Sequence, residues 1–75
     1  MIKDKHNIIS ELEIIIESYG HEYQSIGNEI KIYLNKSEVF IVLSERINIY
    51  EHYDEKPYSY TNLSDAIKKL RTIIS

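Results

Sequence analysis

Chemistry in a short chain has to come from histidines, carboxylates, hydroxyls or clustered cations, and here each is present without the spacing that makes a site. The histidines are His6, His21 and His52. None has a second histidine within the few residues that a metal-binding helix or loop requires. His52 has Glu51 and Asp54 beside it, but on a strand Glu51 and His52 point to opposite faces. With no cysteine in the chain, neither a thiolate metal site nor a disulfide is available. No metal and no cofactor is expected.

Nucleophilic catalysis needs a hydroxyl or thiol held against a base that a third group orients. The serines from Ser10 to Ser64 occupy no strand-to-helix elbow of the kind that exposes a nucleophile. Gly20 and Gly27 are the only two glycines, too few and too far apart for a phosphate-cradling loop. A pocket large enough for a small-molecule substrate is also hard to excavate from 75 residues. These features point away from an enzyme.

Lys68, Lys69 and Arg71 form a small basic cluster, and with aromatic residues elsewhere they suggest a nucleic-acid surface. Against this stand the formal charge of −3 and the carboxylates Glu29 and Glu38 among the aromatic residues, which repel a phosphate backbone. A solvated helix face accounts for the three cations better.

Tyrosine is the remaining conspicuous residue type, with seven in the chain. Tyr50, Tyr53, Tyr58 and Tyr60 crowd into one stretch among Glu51, His52, Asp54 and Glu55. Tyrosine offers a large rigid surface with a polar tip, which suits recognition. The same rings could instead pad the margins of a core short of Leu and Phe.

The elements that must carry these residues follow from hydrophobic period. From about Asn7 to Tyr19, Ile8, Ile9, Leu12, Ile15, Ile16 and Tyr19 form one helical stripe, with Asp4 or Asn7 to cap it and Gly20 to end it. Ile14 falls off that stripe. Four strands then alternate: His21 to Ile26, Glu29 to Leu34, a third through Val39, Ile41 and Leu43, and a fourth through Ile47 and Ile49. Gly27-Asn28 and Asn35-Lys36 are two-residue turns. A third two-residue turn at Ser44-Glu45 would bury Arg46 and Asn48. A three-residue loop, Ser44 to Arg46, pairs Leu43 with Ile47 and Ile41 with Ile49 and keeps the isoleucines together, although Arg46 is not the glycine such loops favour. Tyr58-Ser59-Tyr60 is expected as a short extended lead-in to a second helix from about Leu63 to Ile74, capped by Thr61 or Asn62.

The expected fold class is therefore α+β: one domain over residues 1–75, a two-layer sandwich of a four-stranded antiparallel meander with an N-terminal and a C-terminal helix, α-β-β-β-β-α. Tyr23, Ile30, Ile32, Leu34, Val39, Ile41 and Leu43 face the helices. The opposite face then carries Tyr33, Phe40, Val42 and Tyr50, with Phe40 opposite Tyr50 and Lys31, Glu38 and His52 around them. A contiguous apolar patch of this kind marks an interaction site.

The expected function is a small, non-enzymatic protein-interaction module acting through Tyr33, Phe40, Val42, Tyr50, His52, Tyr53 and Tyr58. The partner is another protein or a second copy of the chain, most simply as a homodimer. The Ile-, Lys-, Asn- and Tyr-rich usage is that of A/T-rich codons, compatible with a phage or mobile-element accessory protein that inhibits a host defence or nuclease complex. The alternatives are a structural or regulatory homodimeric adaptor and, more remotely, a nucleic-acid-binding domain using Lys68, Lys69 and Arg71. The longest apolar run, Ile14 to Ile16, is far short of a membrane span, and the first residues lack the apolar block of a signal peptide, so a cytoplasmic location without membrane contact is expected.

Overall fold

The computed structural model describes residues 4–52 and 54–75. Helix α1 spans Lys5–Ser18, starting slightly earlier than its apolar stripe because Asp4 supplies the cap. Its side chain accepts the Asn7 backbone N–H at 3.2 Å, from a left-handed backbone at φ 56° that an Asp tolerates better than most residues. At the other end Gly20 takes φ +77°. Its N–H bonds the Glu17 carbonyl at 2.9 Å and the His21 N–H bonds that of Ile16 at 3.4 Å, the paired closure that a left-handed glycine allows. Tyr19, expected on the buried stripe, is instead the C-cap and is exposed.

The sheet comprises β1 (Glu22–Ile26), β2 (Glu29–Tyr33), β3 (Glu38–Leu43), β4 (Ile47–Tyr50) and β5 (Tyr58–Tyr60), hydrogen-bonded in that order and antiparallel throughout. Ser25 pairs with Ile30, Ile30 with Ile41, Ile32 with Val39 and Phe40 with Tyr50, as the alternation predicts. Gly27 at φ +58° opens the first turn, the glycine-first arrangement of a two-residue hairpin.

The third connection is the three-residue loop, since Leu43 pairs with Ile47 and Ile41 with Ile49. It closes without a glycine and without a left-handed residue. The Asn48 amide compensates, donating to the Ser44 hydroxyl and the Arg46 carbonyl, each at 3.2 Å, and to the Val42 carbonyl at 3.1 Å.

The expected four-stranded sheet has five strands. Tyr58–Tyr60 is not merely a lead-in: Ile47 pairs with Tyr60, Asn48 with Ser59 and Ile49 with Tyr58. The Ser59 hydroxyl also donates to the Asn48 side-chain oxygen at 2.5 Å. The element order is thus α-β-β-β-β-β-α.

Helix α2 spans Leu63–Ile74 and is capped by Asn62, whose side chain accepts the Ser64 N–H at 2.7 Å. Both helices cover the same sheet face. Leu12, Ile15 and Ile16 of α1 and Ala66, Leu70 and Ile74 of α2 join Ile30, Ile32, Val39, Ile41, Leu43, Ile47 and Ile49 in one buried cluster. Each of these seven sheet residues is at most 3% exposed, so removal of apolar area from water is concentrated on one side of the sheet. The other side has no helix layer.

Candidate interaction surface

Strand register arranges the uncovered face in rows. One row runs Ile26, Glu29, Val42, Asn48, Ser59; the next Gln24, Lys31, Phe40, Tyr50; the third Glu22, Tyr33, Glu38. The sheet therefore brings Tyr33, Phe40, Val42 and Tyr50 together, as expected. Phe40, Val42 and Tyr50 are half-buried by their neighbours, while Tyr33 is exposed.

Lys31 organises the middle of this face. Its ammonium lies 3.4 Å from a Glu38 carboxylate oxygen, 5.3 Å from the Tyr33 ring centre and 5.7 Å from that of Phe40. The cation thus sits between two aromatic faces and a carboxylate, at distances where the ring quadrupoles attract it. The Tyr33 hydroxyl donates to the Gln24 side-chain oxygen at 3.2 Å, tying β2 to β1. Glu22 and Glu29 remain exposed on the same face, so its β1–β2 side carries an excess of negative charge.

Ile26 belongs to this surface as well, beyond the residues expected from the sequence. It is 67% exposed, more than any other large apolar residue among those described. With Gln24, Glu29, Lys31 and Phe40 it lines a shallow groove of about 210 Å³. The signal was present: pairing Ser25 with Ile30 on the core face puts Ile26 on the other.

Of the remaining expected residues, His52 and Tyr58 do not join the patch. His52 lies past the end of β4, exposed, with its imidazole 3.9 Å from a Glu55 carboxylate oxygen. Tyr58 pairs with Ile49 and so belongs to the helix-covered face, where the Lys69 ammonium sits 3.9 Å above its ring. The neighbouring Glu51 carboxylate, by hydrogen bonding and charge, raises the Tyr58 pKa. Tyr53 lies outside the described residues. Lys68, Lys69 and Arg71 are all on α2, on the far side of the sheet from the aromatic rows, so cations and rings do not form a shared nucleic-acid platform.

Among the described residues, no serine or threonine hydroxyl is hydrogen-bonded to a histidine or a carboxylate. The Ser18 hydroxyl donates to the Ile15 carbonyl at 2.7 Å and the Ser59 hydroxyl to Asn48, so neither is paired with a base. His21 bonds main chain, its Nε2 lying 2.5 Å from the Ile74 carbonyl oxygen. Among the described residues, no group of three or more His, Asp or Glu side chains is placed to hold a metal ion. No helix among them is long and apolar enough to cross a membrane.

Comparison with known proteins finds no matching family model, no matching curated protein and no matching solved structure.

Proposed function

We propose that this chain is a protein-binding module whose contact surface is the uncovered face of the sheet. The observation that carries it is sidedness. Both helices pack on the isoleucine face, leaving Tyr33, Phe40, Val42, Tyr50 and Ile26 on a contiguous surface without a helix layer. Aromatic residues at the centre of a patch are the usual anchors of protein interfaces.

The charge pattern selects the kind of partner. Lys31 is already paired with Glu38, so Glu22 and Glu29 dominate the rim near β1. A second copy of the same face would bring a second net-negative surface to the contact, and a phosphate backbone would be repelled in the same way. The face suits a protein with an apolar centre and basic residues around it.

Phe40→Glu tests this. Phe40 projects away from the helix-covered core, so the variant keeps its fold, and losing a central aromatic anchor is worth about 2 kcal/mol, roughly a 30-fold loss of affinity. A partner retained by the wild-type chain from its native cell extract is purified and titrated against wild type, Phe40→Glu and Lys68→Glu. The face is the contact if Phe40→Glu alone weakens binding and rising salt weakens the wild type. Equal binding by a folded Phe40→Glu, or loss only with Lys68→Glu, overturns it.

A further inference from the structure

The two free edges of the sheet differ in a way that bears on how a partner attaches. Main-chain polarity can be followed strand by strand, because antiparallel residues alternate between those that bond one neighbour and those that bond the other. The Leu34 N–H bonds the Ser37 carbonyl at 2.9 Å and the Leu43 N–H bonds the Asn28 carbonyl at 2.8 Å. Ile30 and Ile32 therefore bond towards β3, whereas Glu29, Lys31 and Tyr33 bond towards β1. Their partners there are Ile26, Gln24 and Glu22. The N–H and C=O groups of Tyr23 and Ser25 consequently point out of the sheet at its β1 edge, where no further strand pairs with them among the described residues.

At the opposite edge the same alternation makes Ile47 and Ile49 bond to Tyr60 and Tyr58, so Ser59 is the outward residue of β5. Its carbonyl is already occupied by the Arg46 guanidinium at 3.1 Å. Two residues earlier, at the next outward position, Pro57 has no N–H to offer. A three-residue strand flanked by proline and capped by a cation is closed to further pairing. Strand β1 is longer, has no proline, lysine or bulge, and ends in the most exposed apolar residue of the described chain.

Charge identifies what the open edge accepts. On the helix side Glu13 and Glu17 lie close enough to Tyr23 to act on its hydroxyl electrostatically, and the hydroxyl donates to Glu17. On the outer side Glu29 lines the groove with Gln24, Ile26, Lys31 and Phe40, and Glu22 lies exposed on the same face beyond Gln24. Carboxylates thus line both sides of the exposed main chain. A second copy of β1 would bring its own carboxylates against these.

Within the interaction role proposed above, we infer that the partner contributes an extended basic segment that adds to β1 as a sixth strand. The segment alternates: its apolar side chains lie over the Gln24–Ile26–Phe40 groove and its Lys or Arg side chains lie towards Glu13 and Glu17. Its main chain exchanges hydrogen bonds with Tyr23 and Ser25, in the manner of peptides that extend an exposed sheet edge.

The test uses a capped peptide alternating lysine and valine, a glutamate–valine peptide of the same length, and the lysine–valine peptide N-methylated at its central residue. Each is titrated into the full chain and followed by amide chemical shifts and by hydrogen exchange at Tyr23 and Ser25. The lysine–valine peptide should shift β1 resonances and slow exchange at both amides by about tenfold or more, a change expected when a free edge amide becomes hydrogen-bonded. N-methylation, which preserves charge and removes one main-chain donor, should weaken binding by about tenfold. Ser25→Pro should do the same, and the glutamate–valine peptide should not bind. Equal binding of the methylated peptide, shifts confined to α2, or concentration-dependent protection of Tyr23 and Ser25 without peptide would overturn the inference, the last by showing a second copy at the edge. The two proposals fail separately: a partner lost by Phe40→Glu but unaffected by Ser25→Pro uses the face without the edge.

Discussion

The Nε2 atom of His21 lies 2.5 Å from the carbonyl oxygen of Ile74, joining the chain just after α1 to the last turn of α2 across 53 residues of sequence. A carbonyl can only accept, so Nε2 must carry the proton in this contact. The bond satisfies one of the carbonyls that a helix C-terminus leaves without an intrahelical donor. It also fastens together the two helices that cover the isoleucine face.

His21→Ala should therefore lower stability by about 0.5–1.5 kcal/mol, the usual net worth of such a bond. The loss should be accompanied by faster amide exchange in the last turn of α2, with β2 and β3 retaining their relative protection. Denaturant melts and residue-resolved exchange provide the check. Unchanged exchange near Ile74 would show that the contact does not hold the helix end.

Asn48 gives a second prediction. Its amide nitrogen serves Val42, Ser44 and Arg46, and its oxygen accepts from Ser59, so one half-buried side chain closes the β3–β4 loop and tethers β5. Asn48→Ala should cost about 1–3 kcal/mol, because several polar groups lose their partner together. Exchange at Ser59 and Tyr60 should rise more than at Ile30 or Ile32. A melting temperature equal to that of the parent would contradict this account.

Tyr23 supplies a prediction in pH. Its pKa is pushed up from 10.0 to about 12, chiefly by the hydrogen bond to Glu17, with desolvation and the charges of Glu13 and Glu17 adding to it. The neutral phenol is thus favoured in the folded chain relative to the unfolded one. Its contribution to stability is complete below pH 10 and is lost as pH rises through about 12. A phenolate absorbance titration should show a component near pH 12 that disappears in Tyr23→Phe, while the Tyr58 phenol, raised by Glu51, is retained, and the stability of that variant should fall less steeply across this window. A late titration amplitude unchanged between the parent and Tyr23→Phe would assign it elsewhere.

Much of the sheet could be read from the chain because Ile30, Ile32, Val39 and Ile41 leave one register in which all are buried, and a slip by one residue would expose them all. The same pattern selected the three-residue loop despite its missing glycine. What stayed hidden depended on contacts distant in sequence. Tyr58–Tyr60 is too short for its own alternation to identify a strand, and becomes one only by pairing with Ile47, Asn48 and Ile49. Nothing near His21 in sequence announces its contact with Ile74, 53 residues away. On the outer face, Tyr33, Phe40, Val42 and Tyr50 followed from strand alternation, whereas Tyr58 was grouped with them by proximity in sequence and lies on the other side. Ile26, the last residue of the expected first strand, shares that outer face by the same alternation although the patch expected from the sequence did not include it.

The contrast between β1 and β5 also sets how far such a sheet can grow. A sheet open at both margins can add copies of itself without limit, the route by which edge strands lead to filaments. Here Arg46 and Pro57 close the β5 margin, so two chains joined through β1 would present only closed margins to a third. Two chains paired through β1 would thus have used both open margins, leaving filament growth through this sheet no further free edge.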